Sequence, residues 1–389
     1  MGVSPGPARD PRIDALRGFA LLGILLVNIQ SFISGAPNAI GYLTFGSGTV
    51  DRIAYFLTAT FVVGKFMPLF GMLFGASFAL LYDKLRASFA EPRRLYRRRL
   101  LFLMAFGLLH GLFLYFGDIT LAYAIAGFAL LWYADSDASQ LARATVGWWI
   151  FAAVWLLLSA LSSPGATTDA ANPFVEMVER NEEAALTLGY WAQWPLRAEM
   201  ALWQMQANLL GLPSVIALMM TGALAQRAGW LRNPENPGWR RAALFGLALG
   251  LPVTLAYGSW AVSHADLEAS MAVPALVLGM QASSVVLAFF YAATFLRRAP
   301  TTVVAWLSPA GRMPLTNYLL QSLAMNVSLP GWGFGVGAVF GYAQLSALAV
   351  ALFVAQTLAS RWWLTRFEQG PLEAIWRAWT YRGAELRVP

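Results

Sequence analysis

The sequence predicts an all-α, polytopic membrane helical bundle of about ten transmembrane helices with both termini inside. Three observations predict it. The chain is 58% hydrophobic and 12% charged, with a mean hydropathy of +0.56, roughly half the charge of a soluble domain. Its apolar residues fall into repeated runs of about 20, more than a soluble core can bury. Lys and Arg gather in alternate gaps between those runs. The net charge of +7 therefore reads as membrane topology: lipids are the expected surroundings and nucleic acid is not an expected partner. Cysteine is absent from the 389 residues, which excludes disulfides, thiolate catalysis and Cys-based metal sites.

Taken in order, the spans fall at approximately 13–34, 60–83, 100–117, 118–134, 144–163, 200–225, 240–262, 272–296, 313–330 and 342–364. The first follows Arg9, Arg12 and Arg17 as a signal peptide would, but Asp14 and Arg17 crowd it, Asn28 and Gln30 interrupt its end and no A-x-A site follows, so a retained helix is expected. With the N-terminus inside, the inner gaps hold Arg93, Arg94, Arg97, Arg98, Arg99, Arg227, Arg240, Arg241, Arg297, Arg298 and Arg312; the outer gaps hold Arg52, Arg180 and Arg197, with Lys65 at the start of a span. The outer piece 164–199 carries turn signals at Pro164-Gly165 and Asn172-Pro173; the stretch from Phe174 to Trp194 then reads as a short amphipathic surface helix followed by the aromatics Tyr190, Trp191 and Trp194 at the interface, either an interfacial loop helix or a lid. The tail 365–389 reads as a cytoplasmic amphipathic helix held at the membrane surface by Arg and Trp. Residues 1–389 are expected to form a single integral membrane domain.

Polar residues at membrane depth are costly, so each is a candidate for function or for glue between helices. His110 follows Arg97-Arg98-Arg99 and ten apolar or small residues, with Asp118 eight positions on. A continuous helix would hold their Cα atoms about 12 Å apart, so pairing needs a break at Gly117 or partners from other helices. A histidine can serve as general base and a carboxylate can fix its tautomer. Asp14 and Arg17 can pair on one face, and Arg17 and Asn28, eleven apart, share a face of the first span. Lys65 either snorkels outward or pairs with Asp118. Asn317, Gln321 and Asn326 line a cavity or bond other helices, and Arg312 stands at the inner mouth, where a phosphate would meet it. The two histidines, His110 and His264, lack ligand spacing, and no metal is expected.

The run Arg12-Ile13-Asp14-Ala15-Leu16-Arg17-Gly18-Phe19, the later Gly311-Arg312-Met313 with Leu315-Thr316-Asn317-Tyr318, and Gly370-Pro371-Leu372-Glu373 with Trp376-Arg377 together resemble the YeiB-type bacterial membrane proteins over nearly the whole chain. The Asp14–Asn28 and Phe66–Ser77 segments are also similar to heparan-α-glucosaminide N-acetyltransferase, one of a group of transmembrane acyltransferases. That resemblance implies a multi-pass protein of the bacterial inner membrane. It also implies acyl transfer, acetyl first, from cytoplasmic acyl-CoA to an acceptor across the membrane. The acceptor would be a small molecule, a glycan or a lipid-linked group. The chain departs from the pattern in two places. The O-antigen-modifying acyltransferases carry a histidine eleven residues after the helix-one arginine, where this chain has Asn28. The heparan enzyme carries one in the loop after helix one, and residues 31–51 here hold none.

Two functions follow from the same clusters. As an acyltransferase, the protein would use His110 as base and Asp118 to orient it. Arg93, Arg94 and Arg312 would hold the CoA phosphates, and Asp14, Arg17, Asn28, Lys65, Asn317 and Gln321 would line the substrate site. As a transporter or lipid flippase it would use the same polar cavity without covalent chemistry, with Pro68 and Gly117 breaking helices. A homo-oligomer is compatible with either.

Overall fold

The computed structural model describes residues 10–34, 48–162, 173–263 and 274–386. His264 and the first part of the 164–199 loop lie outside the described residues. The described chain is helical, with no β-strand. Its helices are α1 (Pro11–Ser34), α2 (Thr49–Phe61), α3 (Phe66–Ser88), α4 (Pro92–Phe113), α5 (Thr120–Trp132), α6 (Ala138–Ser162), α7 (Pro173–Thr187), α8 (Tyr190–Leu210), α9 (Leu212–Arg227), α10 (Pro237–Phe245), α11 (Leu251–Ser263), α12 (Pro274–Arg298), α13 (Thr301–Arg312), α14 (Pro314–Ser328), α15 (Tyr342–Trp363) and α16 (Pro371–Tyr381).

Among these residues five stretches are long and apolar enough to cross a membrane, or six when α8 and α9 are joined. Each of the ten expected spans meets a helix, but several fall short of a crossing by themselves. The 13 residues of α5 and the 15 of α14 rise about 20 Å, less than the roughly 30 Å of bilayer hydrocarbon. The first turns of α4 are occupied by Arg93, Arg94, Arg97, Arg98 and Arg99. α8 and α9 bend by 58° around Gly211. A five-residue π-helical turn, Gly246–Gly250, links α10 to α11 in one 27-residue span.

Small residues fix the packing. Gly75 of α3 and Gly222 of α9 cross where a Cβ on either would overlap the carbonyl of Met219 or Met72. Gly18 of α1 and Gly311 of α13 cross in the same way, against Leu307 and Asp14. Between helices surrounded by lipid no hydrophobic drive exists, so close backbone approach supplies the contact energy. α1 is the hub: it packs against α3, α13, α14 and α15, and its Ala15, Leu16, Ala20, Leu21 and Leu25 are buried in the main core.

The surface helix α7 stops at Thr187, and the aromatics Tyr190, Trp191 and Trp194 follow it at the start of α8, with Gly189 in extended conformation between the two helices. The tail helix α16 packs on α4. Trp376 is buried and donates Nε1–H to the Arg99 carbonyl at 2.9 Å, and Trp379 donates to the Arg98 carbonyl at 3.2 Å. The Arg99 guanidinium stacks 3.4 Å from the Trp376 ring.

Candidate functional site

α4 ends at Phe113, where the amides of Leu114 and Tyr115 both donate to the His110 carbonyl. The chain then reverses through Tyr115 to Ile119. Gly117, where the sequence reading places the break, lies inside this reversal against the Tyr115 ring, four residues past the helix end. Asp118 returns to the N-terminus of α5 and accepts from the Thr120 amide (2.8 Å), the Leu121 amide (3.2 Å) and the Thr120 hydroxyl (2.8 Å). Unsatisfied amides at a helix start favour an anionic partner. The reversal brings Asp118 Oδ2 to 2.8 Å from His110 Nδ1. The two atoms are in close contact, short of a well-aligned hydrogen bond. On the ring's other side, Nε2 lies 2.9 Å from Ser322 Oγ of α14. His110, Asp118 and Ser322 are all buried, the histidine only 2% exposed.

Tyr318, one turn before Ser322, donates its hydroxyl to Asp118 Oδ2 at 3.3 Å, and its ring packs 4.7 Å from that of His110. Its other side faces a cavity of about 540 Å³, within the range of small-molecule sites. Tyr318, Thr120, Tyr123, Phe70, Leu21 and Ile24 line the cavity's inner part. Arg17, Lys84, Arg99, Arg312 and Arg377 line the part toward the arginine-rich end of the bundle. A second hollow of about 670 Å³ shares Leu81, Lys84, Gln369, Arg377 and Tyr381 with it and extends it along the surface. Five cations thus face one lining carboxylate, Glu373, which is already committed: it accepts from the amides of Leu315 (2.7 Å) and Thr316 (3.1 Å) and the Thr316 hydroxyl (2.5 Å), capping α14. The cavity is therefore electropositive, with an apolar inner end.

The other sequence candidates separate into groups. Arg17 pairs with Asp14 at 2.5 Å and donates to Ser77 at 2.7 Å, beside the cavity. Arg312 donates to the Glu368 carbonyl, and its Nε has no partner among the described residues. Arg93 and Arg94 lie elsewhere, pairing with Asp135 (2.6 Å) and Glu91 (2.7 Å) at the surface. The Arg93 guanidinium, hydrogen-bonded to Asp135, holds that carboxyl below its ordinary range. Asn317 and Gln321 face α15, where they bond Ser360 (3.0 Å) and Gln356 (3.1 Å) as interhelical glue. Asn28 accepts from the Tyr115 hydroxyl at 3.1 Å and so supports the turn beneath Asp118. Lys65 neither snorkels nor meets Asp118: it is fully buried between α2 and α3, donating to the Ala59 carbonyl at 3.1 Å. Positive φ at Gly64 turns the chain there and holds Lys65 inward.

Sequence reasoning gave no role to Tyr318, Thr120, Glu373 or Ser322. The repeat Tyr318–Ser322–Asn326 at intervals of four was the available signal, since it stacks three polar groups on one helical face.

Fold and site together define an all-helical membrane protein with a buried Ser–His–Asp group behind Tyr318 and Thr120, which line an electropositive cavity. Residues 225–383 match a family described as "Protein of unknown function (DUF418)". The chain is 31% identical to the "Uncharacterized protein YeiB" of Escherichia coli (strain K12), over 97% of each chain. It is 25% identical to the "Uncharacterized protein YxaH" of Bacillus subtilis (strain 168), over 95% of this chain and 93% of that one. No solved structure matches. The chain belongs to the YeiB-like family.

Proposed function

We propose that the protein is a multi-pass acyltransferase of the bacterial inner membrane. It takes an acyl group, acetyl first, from cytoplasmic acyl-CoA and passes it to a hydroxyl or amine acceptor at or across the membrane. The observation that carries this reading is the cavity. Its cation-lined part suits phosphates, its apolar inner part suits a thin acyl-bearing arm, and it ends on Tyr318 and Thr120. Both of these bond Asp118, which in turn contacts His110. Arg312 and Arg99 would bind the CoA phosphates bidentately. Arg17, tied to Asp14, would hold the arm midway. His110 would serve as general base, with Asp118 favouring the proton on Nδ1 and leaving Nε2 free to accept.

The bend between α8 and α9 supports a second reading, a transporter, because broken helices beside a buried site are a transporter feature, and Asn208 of α8 donates to the Asp118 carbonyl at 2.9 Å. The two readings part on chemistry. Purified protein titrated with acetyl-CoA and longer acyl-CoAs should gain thermal stability by mass action, and Arg312→Ala should weaken the gain about tenfold or more in apparent affinity, the loss of one charge-assisted contact. Absence of a shift with every acyl-CoA, in folded protein, would move the assignment to transport.

A further inference from the structure

We infer that Ser322 is the acyl carrier of this site: His110 activates its hydroxyl, and the acyl group rests on Ser322 between donor and acceptor. This rests on the acyl-transfer reading and adds a covalent step to it. His110 does not face the cavity; Nε2 points at Ser322 Oγ, 2.9 Å away, while Nδ1 sits 2.8 Å from Asp118. A nucleophile, a base and an orienting carboxylate in contact form the arrangement that activates serine for acyl transfer on unrelated folds.

The position along α14 fits a relay. Tyr318, which closes the cavity, is one turn toward the arginine-rich end, about 6 Å in helix rise. Its bond to Asp118, at 3.3 Å, is the longest that carboxylate accepts, so a swing of Tyr318 exposes Ser322 to the cavity with little loss. Asn326 is one turn in the other direction. It is buried, its amide nitrogen donates to the Leu114 and Ser322 carbonyls, and its Oδ1 has no donor among the described residues. An acceptor hydroxyl or amine arriving from that side would supply the missing donor. Donor and acceptor thus approach Ser322 from opposite ends of one helix and need not meet.

In the first step Ser322 Oγ attacks the thioester carbonyl and its proton passes to His110 Nε2. The C–S bond breaks, and the leaving thiolate takes that proton to become free CoA. In the second step the acceptor attacks the seryl ester and gives its proton to Nε2. The C–O bond to Ser322 breaks, and the serine oxygen recovers the proton. No oxidant or metal enters the balance.

The first half-reaction needs no acceptor, which makes it testable at once. Detergent-purified protein is mixed with acetyl-CoA, butyryl-CoA or palmitoyl-CoA. Binding is read from thermal stability, free CoA from a thiol reagent and the adduct from peptide mass spectrometry. The expected result is a burst of about one CoA per chain with the acyl group mapped to Ser322. Ser322→Ala should bind the same acyl-CoA and give no burst, and Ser322→Cys should trap a hydroxylamine-labile thioester. His110→Gln should slow the burst at least a hundredfold. Binding without burst or adduct, or an adduct on another residue, overturns the Ser322 relay and leaves direct transfer from a bound acyl-CoA. Failure of all three thioesters to bind wild type overturns the acyl-transfer reading itself. Mapping on wild type decides the matter even if a variant fails to fold.

Discussion

At the residue scale the site is a chain of obligations. His110 is buried between a carboxylate and a hydroxyl, so removing the ring leaves the Ser322 hydroxyl without that partner and opens a void beside Asp118, which keeps its donors from Thr120, Leu121 and Tyr318. Truncation to alanine should cost about 1–3 kcal/mol of stability, whereas His110→Gln keeps the volume and one donor and should unfold close to wild type while losing turnover. A denaturation midpoint measured beside activity separates the two effects. Lys65 is the residue whose surroundings were least legible: its sequence neighbours place it at a span edge, and only the turn at Gly64 buries it. Asp118 was legible as a partner for His110 because an acid eight residues on, past a glycine, has few other places to go. Ser322 was not, because its role depends on which of two helices its face meets, and local periodicity does not specify that.

At the element scale, glycine crossings and the helix α7 carry the predictions. Gly75→Leu drives a side chain into the Met219 backbone, where neither helix can yield without moving the cavity wall. The expected loss is about 1–3 kcal/mol, with weaker acyl-CoA binding, read from thermal unfolding with and without ligand. In α7, burial pushes the Glu182 carboxyl from its ordinary value of 4.5 up to about 7. Between those two values the folded state holds more protons than the unfolded one, so stability should fall as pH rises through that window. Glu182→Gln should flatten that part of the profile and unfold at a higher temperature than wild type at pH 8. An unchanged profile would show that Glu182 is solvated. The elements themselves were largely legible, since apolar runs and Pro or Gly punctuation mark α1, α3, α6 and α15. The split of 200–225 into α8 and α9 was not, because Gly211-Leu212-Pro213 is compatible with a kink of any size.

At the scale of the whole molecule, the three sequence signatures converge on one place. The Asp14–Arg17 segment packs on Gly311, the Arg312–Tyr318 segment walls the cavity, and Glu373 of the tail caps α14 beside it. Glu373→Ala should therefore loosen both the tail and the cavity mouth. Limited proteolysis near Arg382 should quicken, and a ligand-bound wild type should resist it. The absence of cysteine makes the proposed topology directly measurable with single introduced thiols. Glu235→Cys and Arg382→Cys should react with an impermeant maleimide only from the cytoplasmic side, and Glu179→Cys only from the outside. The reverse pattern would place the arginine-rich cavity outside the cell and remove its access to acyl-CoA.

The sequence by itself determined the all-helical membrane class and the polar residues worth watching, because transfer from water to lipid is a local property of each run and each ionisable side chain. It also fixed the break after His110, because glycine and helix-start chemistry act within a few residues. Only the tertiary structure decided which arginines face the cavity, that Asn317 and Gln321 serve α15, and that Ser322 completes the His110–Asp118 pair. Those outcomes depend on the rotation and depth at which helices far apart in sequence meet. In lipid these are set by close fits such as Gly18 on Gly311 and Gly75 on Gly222 rather than by hydrophobic pattern.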